Sequence, residues 1–178
     1  MVTETPRTRF SALSVALHWL MLLLIVGAYA SMELREGYPR GSDTRELFKT
    51  VHYMIGISVL GLVVVRLAAR VLTPGPAPLD EPAWRSLLAK LVHLALYGFM
   101  IAMPIVGWLI LSGEGDAIPF GLPPLAAPSE ALAGQMEELH EAGANLGYLL
   151  VGLHAAASLF HHFVLRDGLL NRMRFGKA

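Results

Sequence analysis

The chain has 178 residues, 54% hydrophobic and only 16% charged, and its mean hydropathy is +0.53. Soluble domains carry about a quarter of charged residues, so lipid is the expected solvent. The formal net charge is zero and there is no cysteine. The first argues against a nucleic-acid partner drawn by bulk charge; the second excludes disulfides, iron–sulfur clusters and thiolate metal sites.

Four apolar segments follow in order. Leu13–Met32 is uncharged apart from one histidine, and matches the ~20 residues that cross a hydrocarbon core. Its Ala28-Tyr29-Ala30 has the pattern of a signal-peptide cleavage site, but the apolar run is too long for a usual leader and holds His18 and Trp19. It is read as a retained helix. The second segment contains VHYMIGISVLGLVVV before Arg66, and the third, Leu91–Ser112, carries Pro104, which membrane helices tolerate. The fourth runs to Leu165. The expectation is an all-α membrane protein, one domain over 1–178, with helices at roughly 12–33, 47–71, 86–112 and 138–166 in an up-and-down bundle.

The connections agree. Thr73–Pro82 is a proline-rich turn, and Gly113–Pro128 a longer Gly/Pro loop. Ser129 is expected to cap a short amphipathic helix with apolar Leu132, Met136 and Leu139, lying on the membrane surface against lipid. If the N-terminus is cytoplasmic, the inner side holds Arg7, Arg9, Arg66, Arg70, Arg85, Lys90, Arg166, Arg172, Arg174 and Lys177. The outer side then keeps only Arg35, Arg40, Arg45 and Lys49. Ten against four fits the positive-inside rule, with both termini cytoplasmic in a bacterial inner membrane.

Seven histidines lie in these spans or at their edges. One imidazole alone is most simply a hydrogen-bonding group between helices. The spacing says more. His140 and His154 are 14 residues apart, close to four helical turns, and so share a face about 21 Å apart along the axis. That suits two redox centres stacked across a membrane. Gly147, midway on the same stripe, would let a flat macrocycle approach the backbone. A b-type haem held by protein alone needs strong axial ligands, and two neutral imidazoles serve. His52 stands level with His140, with Gly56 one turn deeper. For the inner partner of His154, depth leaves His18 and His93 equal. Arg66, fourteen residues beyond His52, either pairs with a haem propionate or snorkels to the inner leaflet.

The segments HWL at His18, SMELREGYPR from Ser31, VHYMIGISVLGLVVVRLAAR from Val51 and HEAGANLGYLLVGLHAAASLFHH from His140 resemble the small bacterial cytochrome b561 proteins. The resemblance spans nearly the whole chain. It implies a four-helix bundle enclosing two b haems, with iron held by His52 and His140 on the periplasmic side and by His18 and His154 on the cytoplasmic side. It also implies an oxidoreductase of the superoxide:ubiquinone type, taking electrons from periplasmic superoxide to ubiquinone, with reversal when quinol dominates. His161, one heptad beyond His154, is then expected to hydrogen-bond a quinone carbonyl near the cytoplasmic face and help deliver its proton. Arg40, Arg45 and Lys49 are expected to steer the superoxide anion. Two other readings remain compatible with the residues: a cytochrome b subunit passing electrons between a partner dehydrogenase or hydrogenase and quinone, and a haem-free carrier with histidine relays.

Overall fold

The computed structural model describes residues 9–73, 75–77 and 81–175. Arg7 and Lys177, counted above among the inner cations, lie outside them. Four long helices account for most of the chain: α1 (Ala12–Arg35), α2 (Asp43–Leu72), α3 (Ala83–Glu114) and α4 (Glu130–Phe160). No strand occurs among the described residues.

Local chemistry explains where the helices start and stop. Ser11, Ser42 and Ser129 cap α1, α2 and α4, each hydroxyl accepting the backbone N–H three residues on. Helix α3 ends at Gly115, whose φ of 77° is the left-handed conformation glycine adopts freely. The Asp116 N–H donates back to the Leu111 carbonyl at 2.9 Å, satisfying one of the last free acceptors. Gly113 must be small because a side chain there would press the Ala133 backbone, so α3 and α4 touch closely at this end.

All four helices are long and apolar enough to cross a membrane. Leu23, Val26, Val64, Leu94, Leu149 and Leu153 are among many large apolar side chains left exposed along them. A soluble monomer does not carry such a surface; lipid covers it. The buried core is small, built on Met21, Val59, Val63 and Met100 with Leu24, Ile55 and Phe99 around them. Helix α1 packs along α2, α2 along α3 and α3 along α4. Side chains close the α1–α4 seam, where the Tyr29 hydroxyl donates to the Ala144 carbonyl at 2.8 Å. One end of the bundle, called distal here, carries the α1–α2 and α3–α4 connections. The proximal end carries the start of α1, the α2–α3 connection and the end of α4.

One sequence expectation is corrected. The residues after Ser129 do not form a separate helix lying on the membrane; they are the first turns of α4, which continues unbroken to Phe160. The drop in hydropathy around Gln135–Glu138 does not end the helix. Gln, Met, Glu and Leu are all good helix formers, and Gly134 alone is too weak a breaker to interrupt them. Beyond Phe160, α4 passes into a π turn over His161–Leu165.

Candidate functional site: two facing imidazole pairs

At the distal end, His52 of α2 faces His140 of α4 with ring centroids 6.1 Å apart and planes at 81°. His52 Nδ1–H donates to the Ala28 carbonyl of α1 at 3.0 Å, which fixes the ring and frees Nε2. The His140 ring lies against Gly107 of α3, where a Cβ would come within 3.3 Å of its Cε1. The buried Nδ1 of His140 has no hydrogen-bond partner among the described residues.

At the proximal end, His18 of α1 faces His154 of α4, again with centroids 6.1 Å apart. Arg66 of α2 places Nη2 2.9 Å from His18 Nδ1 and stacks its guanidinium 5.8 Å from the Tyr97 ring centre. His93 of α3 also reaches this pocket, 5.3 Å from the His154 ring, with its Nδ1–H donating to the Ala89 carbonyl at 2.6 Å. The two pairs are separated by the fourteen residues of α4 between His140 and His154, about 21 Å.

These distances can be tested against the donor geometry of an iron between two imidazoles. A metal–nitrogen bond of about 2.0 Å on each side, plus about 1.1 Å from nitrogen to ring centre, puts the centroids roughly 6.2 Å apart. Both His52–His140 and His18–His154 meet this at 6.1 Å. His93–His154, at 5.3 Å, is too close. Each of these two pairs would therefore fit an iron held between two imidazoles, such as a haem supplies, and His18 suits that better than His93. The space beside Gly56 is open. Beside Gly147 it is taken by the Tyr29 hydroxyl and the Phe99 ring, so that glycine admits side chains of α1 and α3.

The cations expected to steer an anion do not behave alike. Arg45 is mostly spent on structure: its guanidinium donates to the carbonyls of Arg35 and Tyr38 at 3.1 and 3.0 Å and to Glu36 Oε1 at 2.9 Å, and its side chain is 12% exposed. Arg35 adds a second ion pair to Glu36 at 3.2 Å. Hydrogen bonds from Arg45 and then Arg35 hold the Glu36 carboxyl below its usual range. Lys49 pairs with Glu46 at 3.2 Å, whereas Arg40 is exposed and forms no ion pair among the described residues.

His161 lies at the start of the π turn, and its Nδ1–H donates to Asp167 Oδ2 at 2.5 Å. Sequence reading did not single out Asp167. A signal existed in the Asp-Gly pair six residues after His161, a turn sequence able to bring a carboxylate back to the ring.

Comparison with known proteins accords with this geometry. The family model described as Prokaryotic cytochrome b561 matches residues 9–176. The chain is 37% identical over 170 residues to Cytochrome b561 homolog 1 of Escherichia coli (strain K12), covering 93% of this chain and 96% of the relative. It is 37% identical over 169 residues to the Probable superoxide oxidase CybB of Yersinia pestis, covering 93% and 95%. Cytochrome b561 homolog 2 of Escherichia coli (strain K12) is 32% identical over 188 aligned positions, covering 99% and 95%. With b-type haem binding and an electron-transfer role implied by that match, and four spans to carry them, this chain belongs to the prokaryotic cytochrome b561 family.

Proposed function

We propose that the protein oxidises periplasmic superoxide to oxygen and reduces ubiquinone on the cytoplasmic side, using two b haems. The observation that carries this reading is the pair of imidazole clamps, both 6.1 Å across, at opposite ends of one bundle. Each haem, when bound, supplies a one-electron couple, and a superoxide anion has one electron to lose. Two superoxide anions, one ubiquinone and two protons give two oxygen molecules and one ubiquinol. The likeness to a protein named as a probable superoxide oxidase favours this donor.

In this reading His52 and His140 hold the periplasmic haem, and His18 and His154 the cytoplasmic one. The Ala28 carbonyl orients His52, and Gly107 sets where His140 can stand. Arg66 lies against His18 Nδ1; an imidazole holding iron through Nε2 would carry its proton on Nδ1, so the guanidinium, which can only donate, would turn its N–H groups to a propionate. Gly56 leaves room at the distal ring. Gly147 takes Tyr29 and Phe99 into the midplane between the two sites, giving the bundle a close-packed waist.

On the periplasmic face, Arg40 and Lys49 attract the anion; Arg45 holds the loop that presents Arg40, and Lys49 stands on the first turns of α2. No acid or base is needed there, because superoxide oxidation transfers no proton. At the other face reduction of ubiquinone does require protons, and His161 is placed seven residues beyond His154 to pass them. With Arg9, Arg70, Arg85 and Arg172 at the proximal end, the positive-inside rule supports a cytoplasmic position for it.

The test is stopped-flow mixing of purified, haem-loaded protein with superoxide at rising salt, repeated with Arg40→Gln and Lys49→Gln. Rapid haem reduction that slows with salt, and slows further in the double variant, supports the reading. Haem reducible by dithionite but indifferent to superoxide would refute it and favour a subunit fed by a partner protein.

A further inference from the structure

The carboxylate beside His161 is built into the proximal end by several independent features. After Phe160, the π turn His161–Leu165 changes the helical register, and Arg166 takes a left-handed backbone with φ 52°. That reversal returns Asp167 to the imidazole six residues behind it, at 2.5 Å. Its second oxygen, Oδ1, accepts the Leu169 N–H at 3.0 Å, so the carboxylate is oriented as well as close. The two side chains are only 18% and 25% exposed.

The segment that carries Asp167 is pinned. The Trp19 indole N–H donates to the Met173 carbonyl at 3.2 Å, and the Phe10 N–H to the Arg172 carbonyl at 3.2 Å. The Arg172 guanidinium donates to the Ala77 carbonyl at 2.6 Å. These bonds tie the 3₁₀ turn Leu170–Met173 to α1, to the residues before it and to the α2–α3 connection. Trp19 in turn borders His18, ring to ring at 5.5 Å. An exposed ion pair on a loose tail would be worth little. This one is held in place at both ends, and π turns recur at functional sites.

We infer that Asp167 is a positioning residue for proton delivery to quinone: it keeps a proton on His161 Nδ1 and leaves Nε2 as the nitrogen that exchanges protons with the substrate. The inference rests on the reading of His161 as the quinone's hydrogen-bond partner. For each electron that arrives, the Nε2–H bond of the imidazolium breaks as an O–H bond forms on a quinone carbonyl oxygen. Water at the proximal face then returns a proton to Nε2. Two electrons and two protons complete one ubiquinol. Asp167 stays ionised throughout, and its charge stabilises the imidazolium in the moment before transfer. Burial pushes the Asp167 carboxyl up, but the hydrogen bonds from His161 and the Leu169 N–H outweigh it and hold the group below its usual range. It is therefore an anion at neutral pH.

The decisive variant is Asp167→Asn, because an amide oxygen still accepts from a ring N–H or a backbone N–H but carries no charge. Full-length, haem-loaded protein is reduced by superoxide, and its reoxidation by a short-chain ubiquinone is followed in H2O and D2O, alongside Asp167→Ala and His161→Ala. Both haem spectra and the superoxide step are expected to be unchanged in Asp167→Asn. Reoxidation should slow by about tenfold or more in kcat with KM little changed, and its solvent deuterium effect should grow. Normal reoxidation in Asp167→Asn with slow reoxidation in His161→Ala would overturn the role of Asp167 alone. So would a defect in Asp167→Ala that Asp167→Asn restores, since that pattern marks a purely structural contact. Normal reoxidation in His161→Ala would instead overturn the quinone reading on which the inference stands.

Discussion

Gly107 offers a sharp test of the distal clamp, because it touches His140 without being a ligand. A Cβ at this position would lie 3.3 Å from His140 Cε1. Carbon atoms prefer about 3.5–4.0 Å, so Gly107→Ala asks the ring to move by a few tenths of an ångström, which a ligand bond can absorb. Gly107→Val adds methyl groups about 1.5 Å further out, and at least one must overlap the ring or the helix behind it. Overpacking of this kind costs about 1–3 kcal/mol. At about 1.4 kcal/mol per factor of ten, His140 ligation should weaken roughly 5- to 150-fold. The assay is the reduced-minus-oxidised spectrum and the low-spin EPR signals of purified protein, with haem counted as the pyridine haemochrome. Gly107→Ala should keep both haems and perturb one EPR signal. Gly107→Val should lose the distal low-spin signal and keep the proximal one, because His154 lies fourteen residues away along α4. Two unaltered signals in Gly107→Val would refute the placement of His140 as a ligand pressed against α3.

Further outcomes follow from the same geometry. His52→Ala or His140→Ala should remove only the distal haem and His18→Ala or His154→Ala only the proximal one, while His93→Ala keeps both; loss of the proximal haem in His93→Ala with retention in His18→Ala would reverse the assignment. Arg66→Gln should lower the midpoint potential of the proximal haem, read by redox titration, because removing a nearby cation favours the oxidised form. Arg45→Gln removes the pins to the Arg35 and Tyr38 carbonyls and to Glu36, and should speed amide exchange in residues 36–42 without dislodging haem. Glu36, with its carboxyl depressed in the folded protein, stabilises that loop fully above its ordinary value of 4.5. The contribution is lost as pH falls below this, so the loop's protection from exchange, taken relative to the intrinsic amide rate at each pH, should fall in acid and not in mild base.

The spans were legible because lipid imposes a simple rule: about twenty apolar residues without charge. The facing histidines were nearly legible for a related reason, since imidazoles are costly in a membrane and His140 and His154 fall four turns apart on one face. What hydropathy could not give was helix continuity, because α4 runs through the polar stretch Gln135–Glu138 without changing its backbone. Nor could charge counting show that Arg45 is occupied by two carbonyls and a carboxylate, a fact that depends on how the Gly37–Gly41 turn folds. His18 and His93 share a depth, and only the lateral distances of 6.1 and 5.3 Å to His154 separate them. Asp167 was hidden by a chain reversal at Arg166, a non-glycine residue with positive φ that no local pattern announces.

The central claim is most directly tested by counting electrons. Oxidised protein is mixed anaerobically with a slight excess of superoxide in an aprotic carrier, first without and then with a short-chain ubiquinone. Two b haems per chain should become reduced in the first experiment, and both should reoxidise when ubiquinone is added, with ubiquinol formed in equal amount to the chains present. A single reducible haem, or haems that stay oxidised with superoxide, would contradict an account built on two clamps joining a periplasmic anion to a quinone.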